Sequence, residues 1–412
     1  MISTTIRLVF PAAVLAYAAY GIVGALPALD RTTQDHRWTL ADWMQGRASA
    51  TINDTWRAAL PHHDFAAGVV GAGRWLALKE GRKGVVSGRN GWLFTQEEAR
   101  KMDEPMEAVF ARTEILRETL ADKGIDLVVV PLAGKADIYR NELGGSGMAR
   151  DLEERYATFF AGLQAMGIKV VDSRSALLDA ARHAQVFYSS DTHWTRAGAA
   201  AVAEAVAQVV PQGSASVSAQ EEPLQQFHGD LTKFITSAEW TQRVGLPEET
   251  ARPFVTQVAE NGDDLFDTLL GPASVETVLV GTSYSANPNW SFAESLKLDL
   301  HQDVLNYAKE GQGPVKPFLE MLADQAFQLS PPKQVIWEVP VRYLADPDIW
   351  TAPENLQDAP LLAGQRAAMV LAHIGADQSP VRSADLALTY PARFADLGAG
   401  PDLPKGPIFN DK

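Results

Sequence analysis

The sequence predicts an α/β protein built on a parallel sheet. Four strand-length runs rich in Val and Ile, at residues 125–131, 168–171, 275–280 and 334–339, lack the alternation of a half-exposed sheet. That is the pattern of strands covered on both faces. Helical stretches at residues 106–123, 152–166 and 196–209 separate several of these runs, giving a β-α-β order. No internal repeat or low-complexity tract is visible.

Taken in order, the chain opens with an uncharged apolar segment from Leu8 to Leu29 that follows Arg7 and precedes Asp30, Arg31 and Asp35. About 20 apolar residues span a bilayer, whereas a secretory signal has a shorter apolar core and a small-residue cleavage site. The length favours an uncleaved anchor over a cleaved signal, and either places the rest of the chain outside the cytoplasm. Residues 37–81 read as an amphipathic helical arm, with Trp38, Leu40, Trp43, Trp56, Leu60, Trp75 and Leu76 spaced for one face; most of them are expected in the core. The strands and helices of the sheet follow. Residues 211–222, rich in Ser and Gln, and the Pro- and Gly-rich tail from about 398 are the expected flexible segments. A helical piece at residues 361–374 lies in a tail too short for a second domain. The expected division is therefore an anchor or signal at residues 1–30, one domain at 31–346 that includes the arm, and an extension at 347–412 belonging to that domain.

Composition excludes several classes. With 46% hydrophobic residues over 412 positions the chain has ample material for a core. It has no cysteine, so disulfides, thiolate catalysis and cysteine metal sites are ruled out. A net charge of −15 argues against nucleic acid, whose phosphates require clustered Lys and Arg. It also opposes long-range attraction of any other polyanion.

Two motifs carry the chemistry. Asp191-Thr-His193-Trp precedes a predicted helix, and Gly281-Thr-Ser283-Tyr-Ser285 follows a predicted strand. A serine hydroxyl becomes a useful nucleophile when an imidazole takes its proton and a carboxylate fixes the imidazole tautomer. Ser283, His193 and Asp191 supply those three groups. Ser283 stands three residues past a strand end, the edge where open α/β sheets place their sites. The i, i+2 spacing of Asp191 and His193 in an extended segment puts both side chains on one side. Gly281 permits close approach, turn N–H groups around Ser283 are suited to an oxyanion, and Thr195 is placed to cap the helix that follows. Singly, each residue has a plainer role: Ser283 as a turn residue, Asp191 as an Asx-turn carboxylate, His193 as a satisfied imidazole. A metal site needs a third ligand, and neither His183 nor His228 stands at a recognisable spacing, so no metal and no cofactor is expected. The motif is not G-x-S-x-G, and the order Asp, His, Ser disfavours an α/β-hydrolase fold.

These residues resemble the alginate O-acetyltransferase family, the AlgJ/AlgX-type exported enzymes with an SGNH-hydrolase-like domain. The resemblance runs through residues 88–94 (Gly-Arg-Asn-Gly-Trp-Leu-Phe), 130–139 (Val-Pro-Leu-Ala-Gly-Lys-Ala-Asp-Ile-Tyr), 191–195, 229–231 (Gly-Asp-Leu), 281–285 and 336–343 (Ile-Trp-Glu-Val-Pro-Val-Arg-Tyr), and covers roughly residues 37–346. It implies a three-layer sandwich around a parallel sheet and a triad of Asp191, His193 and Ser283. It also implies a periplasmic enzyme, held at the inner membrane by residues 8–29, that moves acetyl groups onto hydroxyls of an exopolysaccharide through an acetyl-Ser283 intermediate. A membrane-bound O-acyltransferase would supply the acetyl groups, and other exopolysaccharide biosynthesis proteins would be partners. Lys135, Tyr139, Trp194, Tyr284 and Arg342 sit at motif positions near strand ends and are candidate substrate contacts, for each of which packing is an equal reading. Some relatives carry a carbohydrate-binding module, which the short tail here does not provide in full. Two other functions fit the same residues: a carbohydrate acetyl esterase, in which water replaces the sugar, and a non-catalytic polymer-binding scaffold of an export complex.

Overall fold

The computed structural model describes residues 4–36, 38–60, 63–102, 106–145, 147–259 and 275–350. Their contacts form two compact units, residues 1–82 with 233–244 and residues 83–232 with the segment from 245 onward. The predicted helix at residues 361–374 and the rest of the tail from 351 lie outside the described residues.

The first unit is helical, with α1 (Thr4–Asp35), α2 (Leu40–Met44), α3 (Arg47–Ala59) and α4 (His63–Leu78). Thr39 and Asp42 form a reciprocal capping box at the start of α2. Residues 235–237 pack along α4, where a Cβ on Gly71 would lie 2.1 Å from the Ile235 carbonyl oxygen, so a larger residue has no room there. Among the described residues, no helix is long and apolar enough to cross a membrane. The arm departs from the expected one-sided core. Trp75 is buried, but Leu40, Trp43 and Leu76 are exposed, because the arm breaks into three helices that do not share one continuous inner face.

The second unit contains the predicted sheet. Strands β1 (Val85–Ser87) and β2 (Leu93–Thr95) form an antiparallel pair ahead of it. The sheet then takes β3 (Asp126–Leu132) and β4 (Lys169–Val170). Three further strands, β5 (Ser216–Glu221), β6 (Gln225–Phe227) and β7 (Glu249–Ala251), lie outside it, as does β8 (Phe254–Ala259). Strands β9 (Thr277–Val280), β10 (Val304–Asn306) and β11 (Gln334–Pro340) complete it. Its order is β10-β9-β11-β3-β4 with every neighbour parallel. All four predicted strands are present, and β9 and β11 are buried along their whole length, as expected for strands covered on both faces. Helices Glu107–Ala121, Met148–Ala165 and Ser173–Ala180 pack on β3, and Val315–Ala323 packs on β9.

One expectation is corrected here. The Ser- and Gln-rich segment expected to be flexible contains β5, paired antiparallel with β8 through six residues. Its partner lies more than thirty positions later in sequence, so local composition carries no sign of the pairing.

The chain leaves β3 for Lys135, β9 for Ser283 and β11 for Arg342, all at the carboxyl edge of three adjacent strands. That edge is where an open α/β sheet places its site, and it holds the candidate residues.

Candidate active site

Asp191, His193 and Ser283 meet at this edge. Asp191 Oδ1 lies 2.7 Å from His193 Nδ1, and His193 Nε2 lies 2.7 Å from Ser283 Oγ. With the carboxylate as acceptor, Nδ1 carries the proton and Nε2 is free to accept from the Ser283 hydroxyl. The Asp191 carboxylate also takes the main-chain N–H of His193 at 2.8 Å and that of Asp230 at 2.7 Å. The Asx-turn role and the orienting role, which read as alternatives in sequence, are filled by one carboxylate. Burial pushes the Asp191 carboxyl up, but the hydrogen bonds and charge of His193, with the Asp230 N–H, outweigh it and hold Asp191 below its ordinary value. Asp230 goes the other way, raised first by burial and then by the neighbouring Asp191 charge.

The nucleophile turn is shaped from below. Thr282 caps the short helix Ser283–Ala286, so Ser283 is its first residue. Glu338 on β11 is fully buried beneath it and accepts from the Thr282 N–H at 2.7 Å, the Thr282 hydroxyl at 3.0 Å and the Ser285 hydroxyl at 3.1 Å. Desolvation raises its carboxyl above the ordinary value. A Cβ on Gly281 would lie 2.5 Å from Glu338 Oε2, so the expected close approach at this glycine is real and its partner is Glu338. The N–H groups of Thr282 and Ser285 are given to Glu338 and to the Thr282 carbonyl, which removes both from any oxyanion site.

The loop bearing Asp191 is pinned in the same way. Glu249 Oε1 accepts from Ser189 Oγ, Ser190 N and Ser190 Oγ, and Asp230 Oδ1 accepts from Thr192 N and Oγ1. Gly229 lies against the Ser190 carbonyl, where a Cβ would be 2.2 Å from the oxygen. The Trp290 ring stacks on His193, with centroids 5.3 Å apart and planes 21° apart, and Thr195 caps the next helix through Gly198 N as expected.

The structure places the five further candidates behind the triad. Lys135 is 1% exposed and donates to the carbonyls of Leu93, Ser189 and Asp191. Trp194 is buried and donates through Nε1 to the Tyr284 carbonyl at 3.1 Å. The Tyr284 hydroxyl donates to the Thr192 carbonyl and accepts from Arg342, both at 2.8 Å. Tyr139 is half-buried, stacks near Trp92 and accepts from Val186 N. Each of these polar ends is turned to protein, a supporting placement. Sequence reading did not single out Glu338, Glu98, Glu249, Asp230 or Trp290. A signal existed for Glu338, a lone carboxylate inside an apolar strand, and for Asp230, which stands in the Gly-Asp-Leu motif. Glu98, Glu249 and Trp290 gave none.

Asp191, His193 and Asp230 bring three ligand-capable atoms within 4.8 Å of one another. Hydrogen bonds already engage both Asp191 oxygens, His193 and Asp230 Oδ1. The cluster is therefore explained by holding the loop in place.

Ser283, His193 and Asp191 meet at the carboxyl edge of a parallel sheet, an arrangement compatible with an SGNH-hydrolase-like protein. Comparison with known proteins agrees. Residues 85–341 match the family described as the SGNH hydrolase-like domain of acetyltransferase AlgX, and the chain belongs to that family. It is 35% identical over 331 residues to the probable alginate O-acetylase AlgJ of Pseudomonas fluorescens, covering 74% of this chain and 83% of that protein. With the probable alginate O-acetylase AlgJ of Pseudomonas aeruginosa it shares 36% over 311 residues, covering 69% and 78%. The solved O-acetyltransferase domain of Pseudomonas putida AlgJ superposes with a TM-score of 0.57 at 30% identity, over 70% of this chain and all of that one. Pseudomonas aeruginosa AlgX shares the fold, with a TM-score of 0.53 at 24% identity over 69% of this chain and 67% of that one. The chain is an O-acetyltransferase.

Proposed function

We propose that this enzyme acetylates hydroxyls of alginate or a related exopolysaccharide through an acetyl-Ser283 intermediate. The observation that carries the reading is the unbroken chain from Asp191 through His193 to Ser283 Oγ, with both links at 2.7 Å. In the first half-reaction Ser283 Oγ attacks the acetyl carbonyl carbon, its proton passes to His193 Nε2, and the donor's leaving oxygen departs with that proton. In the second a sugar hydroxyl attacks acetyl-Ser283, gives its proton to His193 Nε2, and the Ser283 oxygen recovers it as the sugar ester leaves. Asp191 holds the imidazole in the required tautomer and stabilises the imidazolium. The relatives, whose names specify alginate, support that acceptor.

The enzyme works in the periplasm, with residues 8–29 holding it at the inner membrane. Exposed apolar side chains on α1, α2 and α4, among them Leu15, Val23, Leu40, Met44 and Val70, support a lipid-facing role for this unit. A membrane-bound O-acyltransferase supplies the acetyl groups, and other exopolysaccharide biosynthesis proteins act with it.

Intact-mass analysis of the detergent-solubilised chain after incubation with an activated acetyl ester tests the reading. One acetyl adduct is expected, absent in Ser283→Ala and His193→Ala and transferred to an added oligosaccharide acceptor. An adduct that persists in Ser283→Ala overturns the triad. Acetate release with no acetylated sugar makes the enzyme an esterase.

A further inference from the structure

The Lys135 ammonium sits immediately behind the Asp191 segment. All three of its N–H donors end on main-chain carbonyls: Leu93 at 2.6 Å, Ser189 at 3.0 Å and Asp191 at 2.8 Å. A lysine has three donors, so its hydrogen bonding is complete. Two of the acceptors flank Ser190, and the third is on β2, whose Leu93 N–H also donates to the Ser189 carbonyl at 2.8 Å. One cation thus ties β2 to the segment that presents the Asp191 carboxylate.

The rest of the surroundings fix that cation in place. Rings of Trp92 and Phe94 lie 5.2 Å from Nζ, and Glu98 accepts the main-chain N–H groups of Lys135 and Ala136 at 2.7 and 3.0 Å. The charged groups that face Lys135 are Glu98, Asp191, Glu249 and Asp230, and none pairs with the ammonium as a direct hydrogen-bond acceptor through its carboxylate. Burying an ammonium is costly even after relaxation. A neutral donor would avoid that cost but would not offer three N–H groups at one point.

We propose that Lys135 is a positioning residue whose ammonium, by gripping the Asp191 and Ser189 carbonyls, keeps the Asp191 carboxylate under His193 Nδ1, so that loss of its proton slackens the acid–base arm. The proposal rests on the triad reading. Burial brings the ammonium down to about 8, with the nearby carboxylates opposing, so the grip is released on the alkaline side of neutrality. The nearby Tyr139, Tyr188 and Tyr284 are all raised by burial and so do not titrate there.

The test is the rate of Ser283 acetylation by 4-nitrophenyl acetate in the full-length, detergent-solubilised chain, followed by intact mass from about pH 6 to about pH 10. In the wild type the rate is expected to fall on the alkaline side with a midpoint near 8. Lys135→Arg, which keeps its charge throughout, and Lys135→Gln, which has no titrating group, should both lose that fall. The Gln variant should also be about tenfold slower at neutral pH, as expected for a misaligned group. A wild-type rate with no alkaline fall overturns the proposal even if neither variant folds. So does a variant that is slower at every pH yet keeps the wild-type midpoint, the behaviour of a merely structural lysine. An adduct that survives Ser283→Ala instead overturns the triad reading itself.

Discussion

Asp191 Oδ1 receives two hydrogen bonds from His193, one from its main-chain N–H at 2.8 Å and one from its imidazole Nδ1 at 2.7 Å. The two-residue spacing makes this possible, because the carboxylate closes a local turn with the same oxygen that orients the ring. The pairing of Asp191 with His193 is therefore local, while Lys135, Glu249 and Asp230 from elsewhere in the chain hold the segment that carries it.

Asp191→Asn should uncouple these roles. An amide can still accept one hydrogen bond, but it cannot stabilise the imidazolium, and it favours the tautomer with Nδ1 unprotonated. The rate of Ser283 acetylation should fall by about 10³ to 10⁴. Stopped acylation assays on folded protein check this, and a loss below about tenfold would count against Asp191 as the orienting group.

Gly281→Ala should disturb the nucleophile without touching any reacting atom. Its Cβ would lie 2.5 Å from Glu338 Oε2 and 2.9 Å from Ser285 Oγ, so the turn before Ser283 has to move. Overpacking of this kind costs about 1–3 kcal/mol of stability, and displacement of a reacting atom by about 1 Å costs about 100-fold in rate. Urea denaturation together with the acylation rate measures both.

Glu338→Gln should alter the pH dependence of stability. Burial raises the folded-state carboxyl above its ordinary value of 4.5, so the unfolded chain loses this proton first as pH rises. The stabilisation from the protonated group is complete below that value and is lost as pH climbs through the raised one. Gln does not titrate, so the stability difference between wild type and variant should shift in favour of the variant as pH rises from about 4 to about 7. Denaturant midpoints at several pH values test the sign. An unchanged difference would mean that Glu338 is not raised.

Lys135 predicts the opposite trend. Its folded-state value of about 8 lies below the ordinary 10.5, so between the two the unfolded chain binds more protons. Stability then rises with pH. Relative to Lys135→Gln, the wild type should gain no more than about 3–4 kcal/mol across that range, since one unit is worth about 1.4 kcal/mol. Matched denaturation curves measure the double difference, and the gain should coincide with falling activity.

The sequence by itself determined the parallel α/β class, four strands of the sheet and the main helices around them, and it named the three residues proposed as the triad. These are legible because they depend on short-range rules: apolar runs without alternation mark strands covered twice, and a Gly-Thr-Ser turn after a strand end marks a sheet edge. The apolar face assigned to the helical arm did not survive, since Leu40, Trp43 and Leu76 face outward and only the helix breaks decide which side packs. Pairing of β5 with β8 was equally hidden, because it joins segments with no local signal of each other.

Only the tertiary structure decided what lies behind the triad. Lys135, Trp194, Tyr284 and Arg342 stand at motif positions in sequence, and it is their burial and inward hydrogen bonds that make them supports for Asp191, His193 and the Ser283 turn. Glu338 takes a main-chain N–H from the turn before Ser283 and Glu249 takes one from the Asp191 loop, partners that only the assembled fold supplies. A buried carboxylate or ammonium is tolerated only where such partners meet it. Those partners come from loops far apart in the chain, so the physical reason for each buried charge exists only once the sheet has assembled.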